Sequence, residues 1–125
     1  MKMPVKEVDI QVEIVKFLRE ALPHAVVHHS ANEGVRGGKK GMLDGLKKKK
    51  MGQVQGFPDL VIFSWQHTPV MFMEVKAEGN YPTDAQKRVH DQLRGLGYRV
   101  GIVRSVDDVK QRLADWGIWF NRGAA

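Results

Sequence analysis

Residues 56–77 read GFPDLVIFSWQHTPVMFMEVKA, and this stretch decides the fold. Two apolar runs, 59–63 and 70–76, flank the turn-like segment Trp65-Gln-His-Thr-Pro69. Two such runs joined by a few polar or turn residues form a β-hairpin. Asp59 begins the first strand, and Glu74 and Lys76 interrupt the second. Alternate residues of a strand share a face, so Glu74 and Lys76 project to one side about 7 Å apart. Charges on a central strand are costly unless they are paired, coordinated or at the strand's end. Strand pairing can bring the Asp59 carboxylate beside Glu74, where a divalent cation between them would relieve their repulsion. The plainer alternative is an exposed Glu74–Lys76 pair at a strand end, with Asp59 as a turn residue.

Upstream of the hairpin, the pattern predicts an amphipathic helix over 5–22. Ile10, Ile14, Phe17, Leu18 and Leu22 recur at three- and four-residue spacing, and Pro23 closes it. Followed backwards, that stripe reaches Gln11 and Glu7. Glu7 is then either a favourable charge at the helix N-terminus or a carboxylate aimed at a site beside the sheet. Glu13 is its rival for that second role. A short strand over 25–29 follows, then a glycine- and lysine-rich stretch to Gly56. Loops this long in a small domain are usually functional or disordered; within this one, 42–50 suits a short basic helix.

Downstream, a helix is expected over 83–96. Thr83 with Gln86 three residues on has the form of a capping box. Val89, Leu93 and Leu96 supply its apolar stripe, and Gly97 ends it. A strand over 98–103 leads to a last helix capped by Ser105, with Val106, Val109, Leu113 and Trp116 as its buried stripe. Helix, three strands, helix, strand, helix describes one α/β domain over 1–125, a mixed central sheet flanked by helices. Trp65, Trp116 and Trp119 read as core or interface residues, and Trp119 and Phe120 as candidates for a subunit contact.

The 125 residues carry a formal charge of +6. Arg36, Lys39, Lys40, Lys47, Lys48, Lys49 and Lys50 stand against the single acid Asp44, so the segment 36–50 holds the whole excess. A basic patch on an otherwise neutral body is the footprint of phosphate binding, its alternative being a solvated lysine run. There are no cysteines, so thiolate sites are excluded and any metal must be held by carboxylates, histidines or carbonyls. Those ligands favour magnesium or manganese over structural zinc. No apolar run spans a bilayer, and the N-terminus MKMPVKEVDI resembles no signal peptide. Together these features fit a soluble protein of a reducing cytoplasm.

Phosphodiester hydrolysis needs the residue types of the hairpin. A metal held by Asp59 and Glu74 would polarise the phosphate and acidify a water, while Lys76 orients or deprotonates that water or stabilises the transition-state charge. Pro58-Asp59 followed by Glu74-Val75-Lys76 resembles the PD-(D/E)xK nuclease signature. Its neighbours are similar to one branch, the virus-type replication-repair nuclease (VRR-NUC) family. Gly56-Phe57-Pro58-Asp59-Leu60 resembles that family's G-x-P-D-L, and Glu74-Val75-Lys76-Ala77 its E-x-K-A/S. Thr83-Asp84-Ala85-Gln86 resembles its S/T-x-x-Q. His29 to Arg36 is similar to its H-x-x-N-x-G-x-R, with Asn32 and Gly34 in place, and Glu7 to Gln11 to its E-x-x-x-Q helix start. The likeness runs from about Glu7 to Leu113.

That resemblance implies a restriction-endonuclease-like core and a magnesium- or manganese-dependent endonuclease. Asp59, Glu74 and the backbone carbonyl of Val75 would be ligands, and Lys76 the catalytic lysine. Gln86 would lie near the site unless its capping role is its only one, and Glu7 would complete it. Arg36, the lysines of 39–50, His29 and Asn32 would contact DNA phosphates, which fixes position without reading sequence. A one-domain member implies a homodimer that cuts branched DNA, including four-way (Holliday) junctions, in replication and repair. The alternatives are a DNA-binding module that keeps the fold without cutting, and, ranked lower, a sequence-specific restriction enzyme.

Overall fold

The computed structural model describes residues 6–30, 46–66 and 70–124. Helix α1 (Glu7–Ala21) leads into strand β1 (Val26–His29). The hairpin follows as β2 (Leu60–Phe63) and β3 (Val70–Val75). Helix α2 (Asp84–Gly95), strand β4 (Arg99–Val103) and helix α3 (Val106–Asp115) complete the chain. The sheet order is β1-β2-β3-β4; the first two pairings are antiparallel and β3–β4 is parallel, with α2 as its crossover. This is the mixed sheet flanked by helices that the sequence implies. Residues 46–50, holding Lys47 to Lys50, are helical and exposed. Among the described residues no helix is long and apolar enough to cross a membrane.

Strand alternation sorts the sheet's residues between two faces. Leu60, Ile62, Met71, Met73, Val75 and Val103 pack under α1 and α3, against Ile14, Phe17 and Leu18 of the first and Val109 and Leu113 of the last. The C-terminal tail closes this core. Asn121 N donates to Ala21 O at 2.8 Å, and Phe120 meets Phe17 edge to face at 6.2 Å. The opposite face holds a small cluster, Val61, Phe72 and Val100, with Phe57, Val70 and Leu93 at its margin.

Two sequence expectations, for Phe120 and Leu96, need correction. Phe120 is 4% exposed, a core residue occupied by Phe17 and so not available to a subunit contact. Trp65 and Trp119 are largely exposed, outside the core; Gln66 joins their two segments, its Nε2 donating to Trp119 O and its Oε1 accepting from Trp119 N, both at 2.7 Å. Leu96 is 69% exposed, and the residue of α2 that is buried is His90. Leu96 is the C-cap, one residue past the helix, whereas Leu93 a turn earlier does pack against the Val61–Phe72–Val100 cluster.

Candidate active site

The site lies where β2 begins and β3 ends. The register Leu60↔Met73 carries on to set Asp59 opposite Glu74, so antiparallel pairing alone brings the two carboxylates together. Asp59 Oδ2 accepts a 2.8 Å hydrogen bond from Val75 N. The Asp59 carbonyl accepts one from Ser30 N at 2.8 Å, which ties this corner to β1. Just upstream, Gly56 has φ +87°, and a Cβ there would lie 2.6 Å from the Ala85 backbone. Only glycine combines that backbone conformation with so close an approach. The chain entering Asp59 is thereby seated against the first turn of α2, which explains the glycine of the GFPD segment.

Glu74 is 1% exposed and Lys76 8%. Both sit on the α2 side of the sheet, as their two-residue spacing requires. Lys76 N donates to Val103 O of the parallel neighbour at 3.1 Å, fixing the strand end from which the ammonium projects. Glu74 Oε1 lies 3.1 Å from Nε2 of His90, itself 2% exposed. Burial, and then the Arg94 charge, lower the His90 pKa, so the ring is neutral and serves as an N–H donor to Glu74.

Electrostatics mark Asp59 and Glu74 as one unit. Burial first, then the hydrogen bond with Glu74 and its charge, push Asp59 up to about 7, although the Val75 N–H and Lys76 act the other way. Glu74 is also raised, by burial and to a lesser degree by Glu7; the Asp59 hydrogen bond and Lys76 oppose the rise. Asp59 is thus the protonated donor and Glu74 the acceptor, the arrangement of two carboxyls that share a proton. The same oxygen pair suits a hard divalent cation in the proton's place. One oxygen of each carboxylate is already oriented, Oδ2 by Val75 N and Oε1 by His90, which leaves Asp59 Oδ1 and Glu74 Oε2 free of those ties. Among the described residues no three His, Asp or Glu side chains converge as a metal cluster. A two-carboxylate donor set is the kind magnesium takes, since it keeps several of its waters.

Glu7 reaches the same end of the sheet from α1. Its Oε1 accepts from Ala77 N and Asn80 Nδ2, both at 3.2 Å, while Glu13 stays exposed. Gln86 completes the capping box instead: Oε1 accepts from Thr83 N at 2.8 Å, and Gln86 N donates to Thr83 Oγ1 at 3.2 Å. No hydrogen bond among the described residues joins Gln86 to either carboxylate. His29 Nδ1 lies 3.0 Å from Gln11 Nε2 and 3.1 Å from Asp59 O. A single ring nitrogen donates or accepts, so His29 either donates to Asp59 O and braces that corner or accepts from Gln11. Asn32, Arg36, Lys39 and Lys40 lie outside the described residues. His90 and Asn80 are partners that the sequence did not single out; the four-residue step from Gln86 to His90, one helical face, was the available signal.

A family model described as the VRR-NUC domain matches residues 6–107. A solved structure titled "VRR_NUC domain protein" superposes with a TM-score of 0.70 at 24% identity, covering 93% of this chain and 90% of its own. A second, titled "VRR_NUC domain", gives a TM-score of 0.57 at 22% identity, covering 87% and 94%. No curated protein matches.

Proposed function

The chain belongs to the VRR-NUC family, a nuclease family, and on that footing we propose that it is a magnesium- or manganese-dependent DNA endonuclease. Its site is Asp59, Glu74 and Lys76, supported by Glu7 and His90. The observation that carries this is the pair of raised carboxyls beside Lys76 at a strand end, Glu74 buried and Asp59 half-buried. A structural ion pair would gain nothing from two acids held together, whereas a cation-binding site requires them.

When bound, the metal supplies Lewis-acid activation of the scissile phosphate and a more acidic water. Asp59 and Glu74 would hold it, with the Val75 carbonyl as a third protein donor. His90 keeps Glu74 in one orientation, as partners of metal ligands commonly do. The Lys76 ammonium faces the developing negative charge or positions the attacking water. Glu7, through Ala77 N and Asn80, fixes the turn that leaves Lys76. Gln86 shapes the N-terminus of α2 through its cap, and the lysines of 47–50, with Arg36, Lys39 and Lys40, engage phosphates away from the cut.

Branched DNA, four-way junctions included, cut by a homodimer during replication or repair is the substrate and setting we propose. The test incubates the protein and magnesium with junction, flap and duplex DNA beside the Glu74→Ala variant. Cleavage by the wild type and binding without cleavage by the variant are expected; no cleavage of any substrate overturns the proposal.

A further inference from the structure

Arg104 follows β4 directly, and Val75 pairs with Val103. Since Lys76 N also bonds Val103 O, Arg104 stands level with Lys76 on the neighbouring strand, at the mouth of the site. Its guanidinium is held twice. Nη2 donates to Asn80 O at 2.9 Å, and Cζ lies 5.3 Å from the centroid of the Tyr81 ring. Asn80 in turn donates to Glu7, whose second donor is the residue after Lys76. The pair is therefore anchored to the catalytic strand end. Tyr81 is 74% exposed, and the ion pairs among the described residues are His90–Glu74 and Arg94–Asp91. The Arg104 guanidinium thus has no ion-pair partner among them, the Asp108 carboxylate accepting instead from its backbone N at 2.8 Å, and the guanidinium lies beside an open aromatic face.

We propose that Tyr81 and Arg104 form a nucleotide platform flanking the cut, the ring stacking on an unpaired base and the guanidinium holding an adjacent phosphate. This rests on the nuclease assignment for its position and deepens it, because an open ring selects substrates with bases outside a duplex. Every base has a π face, so stacking of this kind tolerates any sequence. An arginine pre-ordered by an aromatic ring and a carbonyl loses little freedom when it meets a phosphate. The chemistry accounts for a preference for branch points, where unpaired bases occur, without a base-reading motif.

Binding decides the matter independently of cleavage. Full-length protein in chelator is titrated with a single-stranded oligonucleotide and a branched DNA, each carrying 2-aminopurine at the unpaired position. Tyr81→Ala is expected to weaken binding by about 5- to 150-fold, the usual worth of one stacked base, and to abolish the quenching seen with wild type. Tyr81→Trp retains both. Arg104→Ala lowers the salt dependence of binding by about one phosphate contact, and Arg104→Lys restores it. In saturating magnesium with the DNA concentration varied, Tyr81→Ala raises KM far more than it lowers kcat. Unchanged affinity and quenching in Tyr81→Ala overturn the platform even if the wild type cuts. A variant that loses kcat with its affinity intact also overturns it, showing a loop brace instead. If the wild type cuts nothing, the nuclease assignment falls, and the binding arm still decides the platform.

Discussion

The two faces of the sheet are made from alternate residues of the same strands, yet they solve opposite problems. Under α1 and α3 lie Leu60, Ile62, Met71, Met73, Val75 and Val103, all between 0 and 1% exposed. Under α2 the strands present Val61, Phe72 and Val100, then Glu74 and Lys76, and the helix answers with His90. The first face is stabilised by area removed from water, about 25 cal/mol per Å². The second carries groups that burial penalises and that satisfy one another; no buried side-chain nitrogen or oxygen among the described residues lacks a partner. Removing a leucine from the first face should cost stability, and removing a carboxylate from the second should cost chemistry.

The sharpest way to break that division is Glu74→Ala. On the proposed function Glu74 holds the metal, so its loss should remove several kcal/mol of transition-state stabilisation and lower cleavage on the order of 10³-fold. The thermal midpoint changes less than in the next variant, because the buried carboxyl was itself disfavoured as a charge. Leu18→Ala is its mirror image. It opens a cavity in the α1 core and should cost about 3–5 kcal/mol in denaturant titration, with kcat/KM unaltered where the protein remains folded. A Glu74 variant that unfolds, or a Leu18 variant that is folded and inactive, breaks the comparison.

Two smaller effects test how the polar face is held. A Cβ at Gly56 meets the Ala85 carbonyl carbon and oxygen at 2.6 Å on a positive-φ residue. Gly56→Ala should therefore destabilise by about 1–3 kcal/mol and also slow cleavage, since the displaced segment carries Asp59. His90→Ala should weaken manganese binding, followed by titration calorimetry, about 10- to 100-fold. His90→Gln, which keeps a donor, should recover part of it. Equal manganese affinity in all three proteins would remove His90 from the site.

The first face was legible in the sequence because area-driven packing leaves a periodic trace. Ile14, Phe17 and Leu18 on α1, and Val109 and Leu113 on α3, follow from spacing alone, and the hairpin from two short apolar runs. The polar face was legible only where charges interrupt those runs, at Asp59, Glu74 and Lys76. His90 left no such mark. A histidine on a helix otherwise polar at Lys87, Arg88 and Asp91 looks solvated until the strand beneath it is known to bear Glu74. Leu96 was misplaced for a different reason: it is the C-cap, one residue past the helix, while Leu93 a turn earlier does reach the apolar Val61–Phe72–Val100 cluster. The capping box of Thr83 and Gln86 is local and could be read directly.

The last expected effect is the most direct on the paired carboxyls. Asp59 is raised from 3.8 to about 7 when folded. The folded protein therefore holds a proton that the unfolded chain has released between those values. Stability supplied by that proton is fully present below about pH 4 and is lost as pH climbs through 7, because the unfolded state then binds fewer protons than the native one. In chelator the melting temperature should decline from pH 5 to pH 8. Asp59→Asn, which cannot titrate, should flatten most of that slope, Glu74 contributing the remainder. Magnesium at pH 8 should restore the wild-type midpoint and leave the variant's nearly unmoved, since a cation stabilises by binding the native carboxylate pair. The Leu18→Ala protein, damaged only on the apolar face, should keep the full wild-type slope at a lower midpoint. A wild-type slope that survives in Asp59→Asn would mean that the titrating group lies outside the paired carboxyls, and the polar face would then lose the feature that sets it apart.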